Sequence, residues 1–235
     1  MSTLNFTRPT RGAVRLDDYS WDVDSIRCEL EQIAALNWKD RKQGTNWSDL
    51  ALFVRGEGDE TNEHPILNEA PTLKAVLHGF PAKPVDMCLA SLRPGGFVKE
   101  HRDISGGTAA NVIRLHVPII THPDVSFFVS GERVFMSAGE VWHLDTTYRH
   151  RVENKSDIER IHLILDLEST PELRRLLPEA DYRDRLHTIA FAFICIGKGM
   201  SLMAREPSMF LRKCRDFIKL RVGKQSVLYS KEDLQ

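Results

Sequence analysis

Val125-Ser126-Phe127-Phe128-Val129, Ser130-Gly131-Glu132 and Arg133-Val134-Phe135-Met136 together read as a β-hairpin, two short runs of β-branched and aromatic residues around a glycine turn. Ala138-Gly139-Glu140 is a further turn before a further short run, Val141-Trp142-His143-Leu144. Upstream, Ile113-Arg114-Leu115-His116-Val117-Pro118-Ile119 alternates in side-chain character, and Met87-Cys88-Leu89-Ala90-Ser91-Leu92 runs into the turn signal Pro94-Gly95-Gly96. Downstream, Arg160-Ile161-His162-Leu163-Ile164-Leu165-Asp166 alternates again. Many short strands at close spacing with glycine turns predict a mainly β fold with flanking helices, a sandwich or double-sheet jelly roll, over residues 85–168.

The flanks read differently. Residues 1–84 form a mixed part expected to pack on that core. Val23, Ile26, Leu30, Ile33 and Ala34 recur at helical spacing, with Asp22, Asp24 or Ser25 able to cap the start. Leu50-Ala51-Leu52-Phe53-Val54-Arg55-Gly56 reads as a strand ended by glycine, and residues 71–79 as a short helix with Pro71 in its first turn and Gly79 after its last. Residues 169–235 are expected to be helical, beginning with Thr170-Pro171-Glu172. There Phe210, Cys214, Phe217, Ile218 and Arg221 share one helical face, and Arg212, Lys213, Arg215, Asp216 and Lys219 lie elsewhere on the surface.

The chain has 235 residues, 42% of them hydrophobic, and a net charge of −1, enough to bury a sizeable core as one globular unit. That balance supplies no general attraction to nucleic acid or to acidic membranes. Met1-Ser2-Thr3-Leu4-Asn5-Phe6-Thr7-Arg8 has no apolar signal core, and the longest apolar run, Ile189 to Ile196, is far shorter than a membrane span. Cys28, Cys88, Cys195 and Cys214 are scattered with no CxxC pair, as expected for reduced thiols in a cytoplasmic protein.

The chemistry concentrates in His101-Arg102-Asp103 and His150. In extended chain, residues i and i+2 project to the same side, so His101 and Asp103 can enter one cavity together. With His150 from a neighbouring strand they make a two-histidine, one-carboxylate set, which holds one face of an octahedral Fe(II) and leaves the other open. His-x-Asp recurs by chance, so its weight comes from the strands around it. Such a centre is net positive and attracts an anionic chelating co-substrate. Arg160 begins an apolar strand ten residues beyond His150, and its planar fork matches a carboxylate. Arg114 poses the same question on its own strand; each arginine alone would equally suit a protein carboxylate or solvent. Trp142, Phe127 and Phe128 are candidate cavity walls or core packing, and His162, His143 and His122 are expected to be structural.

His101-Arg102-Asp103, Arg114 to Ile119, Gly139-Glu140-Val141-Trp142, His150-Arg151-Val152-Glu153-Asn154 and Arg160-Ile161-His162-Leu163 resemble the aspartyl/asparaginyl β-hydroxylase family, and within it the bacterial free-proline hydroxylases. The resemblance covers about Val85 to Glu168. It implies a double-stranded β-helix (cupin-like jelly roll) and an Fe(II)/2-oxoglutarate-dependent dioxygenase consuming O₂. It also implies His101, Asp103 and His150 as iron ligands, Arg160 as partner of the distal carboxylate of 2-oxoglutarate, and Arg114 and His116 near the co-substrate or substrate. The expected substrate is a small molecule, proline or a related free amino acid or natural-product unit, whose carboxylate Arg114, Arg102 or Arg149 would suit. No nucleic-acid or membrane partner is expected, and the C-terminal helices would cover the site or make a homodimer contact.

Other readings stay open at this stage. One is a non-catalytic cupin-like protein holding a structural metal, for which zinc would need a fourth ligand that the sequence does not single out. Another is an interaction module built on the basic C-terminal helix. A third is hydroxylation of an aspartyl or asparaginyl residue in a peptide.

Overall fold

The computed structural model describes residues 12–33, 38–103, 111–221 and 225–234. The expectations placed on Met1–Arg8, on Ala34 and on the side chains of Ile33 and Arg221 lie outside the described residues.

Two antiparallel sheets face each other. The larger runs β1 (Ala13–Ser20), β10 (Glu140–Leu144), β7 (Val112–Ile120), β12 (Arg160–Glu168), β5 (Pro84–Leu92), β3 (Trp47–Arg55) and β2 (Lys39–Lys42), with β4 (Thr61–Glu63) beside β3. The smaller runs β6 (Phe97–His101), β11 (His150–Asn154), β8 (Val125–Val129) and β9 (Glu132–Val134). This is the double-sheet jelly roll expected from the strand spacing. Its larger sheet is wider than residues 85–168, because β1 to β4 come from earlier in the chain and hydrogen-bond into it. Pairing β3 with β5 gives Leu50 and Leu52 the same buried face as Met87 and Leu89, and no local propensity specifies that partnership.

The strand period of two divides the larger sheet into an oily and a polar face. On β12, Ile161, Leu163, Leu165 and Leu167 point to one side, where they pack with Ile113, Leu115, Leu89 and the helices α1 (Val23–Ile33) and α2 (Pro71–His78). Ile26 of α1 and Leu73, Val76 and Leu77 of α2 are fully buried there. Each such side chain contributes roughly 1.5–3 kcal/mol by leaving water. On the opposite face stand Arg160, Ile164 and Asp166, with Arg114 and His116 of β7 and Asp86, Cys88 and Ala90 of β5. These line the space between the sheets.

The turns follow their residues. Ser130 (φ 54°) and Gly131 (φ 83°) form the two-residue connection of β8 to β9, and left-handed backbone at both positions matches the twist of the strands. At Arg93-Pro94-Gly95-Gly96, Gly96 N–H donates to Arg93 O at 2.8 Å with Gly95 at φ 73°, and this turn carries the chain from β5 in one sheet to β6 in the other.

After β12, Thr170 caps the short helix α3 (Pro171–Arg174) by accepting from Leu173 N–H at 3.1 Å. Then come α4 (Tyr182–Arg205) and α5 (Pro207–Arg221). The apolar run 189–196 is thus the middle of a 24-residue helix, which by length and composition is long and apolar enough to cross a membrane. A helix tolerates interspersed Gly197 and Lys198, which a count of unbroken apolar residues does not. On α5, Phe210 and Cys214 are half-buried, whereas Phe217 and Ile218 are exposed.

Candidate metal centre and its cavity

β6 and β11 are hydrogen-bonded neighbours, and their register sets His101 opposite His150. Asp103 follows β6, and its N–H donates to Thr146 O at 2.9 Å, which pins the segment against the β10–β11 connection. One ligand atom each from His101, Asp103 and His150 lies within 4.8 Å of the others. His101 Nε2 is 3.4 Å from Asp103 Oδ1, and His150 Nε2 is 3.9 Å from Asp103 Oδ2. Among the described residues this is the one such group of three.

The outward-facing nitrogens are held by backbone carbonyls. His101 Nδ1 lies 2.8 Å from Lys99 O and His150 Nδ1 lies 3.0 Å from Tyr148 O. A carbonyl accepts only, so each Nδ1 carries the proton, and each Nε2 keeps a lone pair turned to the space beside Asp103. Donation of the second ring nitrogen to a backbone carbonyl is how metal-binding histidines are held. Burial lowers the His150 pKa despite the opposing charge of Asp103, and that lowering favours the neutral ligand form. The residues present therefore fit a six-coordinate Fe(II) bound on one face.

Arg114 acts on this centre through Asp103. Its Nε and Nη2 donate to Asp166 Oδ1 and Oδ2 at 2.8 and 2.7 Å, and its Nη1 donates to Asp103 Oδ2 at 3.2 Å. Burial opposes the charged form of Arg114, yet the combined pull of Asp166 and Asp103 raises its pKa. Arg114 lines the cavity, but its fork is engaged by protein carboxylates. Arg102 donates to Thr147 O at 2.6 Å, and Arg149 pairs with Glu100 in solvent. Arg114, Arg102 and Arg149 thus each have a partner within the protein.

Arg160 is the contrasting case. It is buried and lines the same cavity, its Nε has no hydrogen-bond partner, and no carboxylate pairs with it among the described residues. Burial pushes its pKa down to about 9. A buried, uncompensated guanidinium is costly unless an anion arrives. His116 and His162 flank it. Burial first, and the Arg160 charge second, hold both imidazoles well below their usual pKa, so both are neutral. Their rings meet edge-on at 5.9 Å, and Nδ1 of each is buried and unpaired. A bound carboxylate would find a cation and two neutral rings there.

The cavity is about 310 Å³. Phe127 lines it, stacked on His150 with centroids 6.4 Å apart, whereas Arg151 covers Phe128 and Trp142 donates to Glu140 away from it. His143 Nδ1 lies 3.1 Å from Arg114 O and His122 Nδ1 accepts from Asp124 N–H, so both serve the backbone. Sequence reading passed over Arg41, Asp49, Asp86 and Tyr229, which line the rest of the cavity. Tyr229 O–H donates to Asp49 Oδ2 at 2.6 Å, and Arg41 pairs with Asp49 and lies over the Tyr229 ring. Oδ1 of Asp49 and Oδ1 of Asp86 are buried without partners, and burial beside Asp166 raises Asp86 to about 7. The available signal was an acid inside an apolar strand, as in Val85-Asp86-Met87.

No curated protein matches the sequence. Among solved structures, the 2OG-Fe(II) oxygenase family oxidoreductase from Burkholderia pseudomallei aligns at 16% identity and TM-score 0.49, over 70% of this chain and 88% of that one. The non-heme alpha ketoglutarate dependent epimerase SnoN from nogalamycin biosynthesis aligns at 12% identity and TM-score 0.48, over 67% and 78%. HygX from Streptomyces hygroscopicus, solved with nickel and 2-oxoglutarate bound, aligns at 10% identity and TM-score 0.45, over 68% and 84%. The family model for aspartyl/asparaginyl beta-hydroxylase matches residues 21–170, well over half of the chain and every residue of the candidate centre. The chain belongs to the aspartyl/asparaginyl β-hydroxylase family.

Proposed function

We propose that this hydroxylase is Fe(II)/2-oxoglutarate-dependent and oxidises an unactivated C–H bond of a small, amino-acid-like substrate, proline or a related free amino acid or natural-product unit. The carrying observation is the conjunction of three ligand atoms with free lone pairs and a buried arginine without an anion in the same cavity. Fe(II) with 2-oxoglutarate and O₂ would supply the oxidising power, with succinate and CO₂ as co-products. His101, Asp103 and His150 would hold the iron. Arg160, flanked by His116 and His162, would take the distal carboxylate of 2-oxoglutarate, and Phe127 excludes water beside His150.

The substrate would occupy the part of the cavity walled by Arg41, Asp49, Asp86 and Tyr229. Both charge signs meet there, and the unpaired oxygens of Asp49 and Asp86 accept hydrogen bonds, which suits the ammonium group of an amino acid. A volume of about 310 Å³ favours a free small molecule.

The test is anaerobic titration of the protein with Fe(II) and 2-oxoglutarate, followed by the weak visible charge-transfer absorption of the chelate. The band should form in the parent, vanish in His101→Ala and Asp103→Ala and weaken in Arg160→Ala. Succinate release with a panel of free amino acids would then identify the substrate. Absence of the band in metal-replete protein that retains zinc tightly would overturn the oxygenase reading.

A further inference from the structure

The helical pair α4–α5 leaves an unusual surface. On α4, Tyr182, Leu186, Ile189, Phe193, Ile196, Met200 and Met203 recur at alternating intervals of four and three residues, and every one is exposed. That spacing puts them on one stripe along the helix, about 32 Å long at the rise of an α-helix. Phe193 is 70% exposed and Met200 64%. Leu211 and Ile218 of α5 are exposed as well. A contiguous apolar surface of this kind marks a contact with another apolar phase.

The charge identifies that phase. Residues 182–221 carry nine Lys and Arg against three Asp and Glu, a net of +6 within a chain whose total is −1. Arg183 and Arg185 flank the start of the stripe and Arg205 its end, while Arg212, Lys213, Arg215 and Lys219 crowd α5. A second copy of the chain would bring a second +6 against the first. An anionic lipid surface offers an apolar interior beneath a layer of negative headgroups, complementary in both respects.

The anchoring decides between lying on the bilayer and crossing it. At its start α4 is fixed to the globular body: Tyr148 O–H donates to Asp184 at 2.8 Å, His187 stacks on Tyr148 with centroids 3.6 Å apart, and Phe191 is buried. After α5 the chain is fixed to the same body. Ser226 N–H donates to Arg55 O at 2.9 Å, and Leu234 packs on Ala51 and Val54. A crossing by α4 would oblige α5 to cross back with five basic residues among its fifteen.

We propose that the α4–α5 pair docks the protein on an anionic membrane surface, with the α4 stripe lying in the interface plane and the basic residues reaching the headgroups. This does not depend on the reaction at the metal centre.

The experiment is vesicle co-sedimentation of the full chain, comparing pure phosphatidylcholine with phosphatidylcholine containing about 30% phosphatidylglycerol. The chain should bind the anionic vesicles, release them as salt is raised, and bind pure phosphatidylcholine more weakly. The exposed double variant Phe193→Glu/Met200→Glu should lose affinity by roughly tenfold or more. Arg212→Glu/Lys213→Glu should weaken binding to the anionic vesicles alone. Unchanged circular dichroism would show that both variants are folded. No vesicle binding, or binding that neither variant alters, would overturn the proposal. A concentration-dependent dimer in sedimentation velocity that Phe193→Glu/Met200→Glu converts to monomer, without vesicle binding, would overturn it in favour of a second copy.

Discussion

Arg114 Nη1 donates to Asp103 Oδ2 at 3.2 Å while the rest of its fork is held by Asp166. The carboxylate ligand is thereby oriented by an arginine that is itself oriented by a second buried carboxylate. Oδ1 of Asp103, the atom nearer His101, is left free of that contact.

Arg114→Met should therefore damage two properties at once. Stability should fall by roughly 3–5 kcal/mol because Asp166 is left buried and unpaired. Iron affinity should fall by about 10–100-fold because Asp103 loses its orienting partner. Denaturant melts and competition with a chelator measure the two separately. Arg114→Lys retains the charge without the fork and should rescue stability in part. If the folded lysine variant bound iron as tightly as the parent, Asp103 would need no such orientation.

Arg160 predicts the opposite sign for stability. Its buried charge has no protein carboxylate among the described residues, so Arg160→Met should stabilise the protein without co-substrate by roughly 1–4 kcal/mol. The same variant should lose the thermal stabilisation that saturating 2-oxoglutarate gives the parent. Thermal melts with and without 2-oxoglutarate test both halves. A destabilised variant that still responds to 2-oxoglutarate would remove Arg160 from the role assigned to it.

His116 and His162 give the stability a pH dependence. Both have folded-state pKa values well below the ordinary 6.5, with burial as the leading cause, so below that pH the unfolded chain binds protons that the folded one refuses. Stability should therefore be fully present above about 6.5 and fall as pH drops toward the depressed values, by up to about 1.4 kcal/mol per pH unit for each group. Asp86, raised to about 7, works the other way, because its folded form takes up a proton before the unfolded form does. Two histidines outweigh one aspartate, so the melting temperature should drop between pH 7 and pH 5. His162→Phe should flatten the profile and Asp86→Asn should steepen it. An unaltered slope in His162→Phe would show that this ring is not the source.

Gly139 is confined by backbone on both counts. Its φ is 85°, and a Cβ there would come within 2.8 Å of Trp21 O. The position also links the segment after β1 to β7 through Trp21 N–H donating to Gly139 O and Gly139 N–H donating to Pro118 O. Gly139→Ala should cost roughly 1–3 kcal/mol, read from a denaturant melt. Gly131→Ala, also at positive φ but with nothing within 4 Å, should cost less.

Features governed by local rules were legible in the chain before any tertiary contact was known. Alternation marked β7 and β12, Ser130-Gly131 and Pro94-Gly95-Gly96 marked their turns, Thr170-Pro171 marked a helix start, and His101, Asp103 and His150 were a legible ligand set because i, i+2 geometry already places two of them on one side. Features that depend on partners distant in the chain came from the folded arrangement. It placed β1 to β4 in the larger sheet, engaged Arg114 with Asp166 and left Arg160 without a carboxylate, although both arginines sit on buried strands of the same sheet. It brought Asp49, Asp86 and Tyr229 to one cavity from segments up to 180 residues apart. It also joined a short apolar run into a 24-residue helix and left its apolar stripe uncovered. Propensity and spacing act over a few residues, whereas charge pairing and burial are fixed by which strands and helices finally lie side by side.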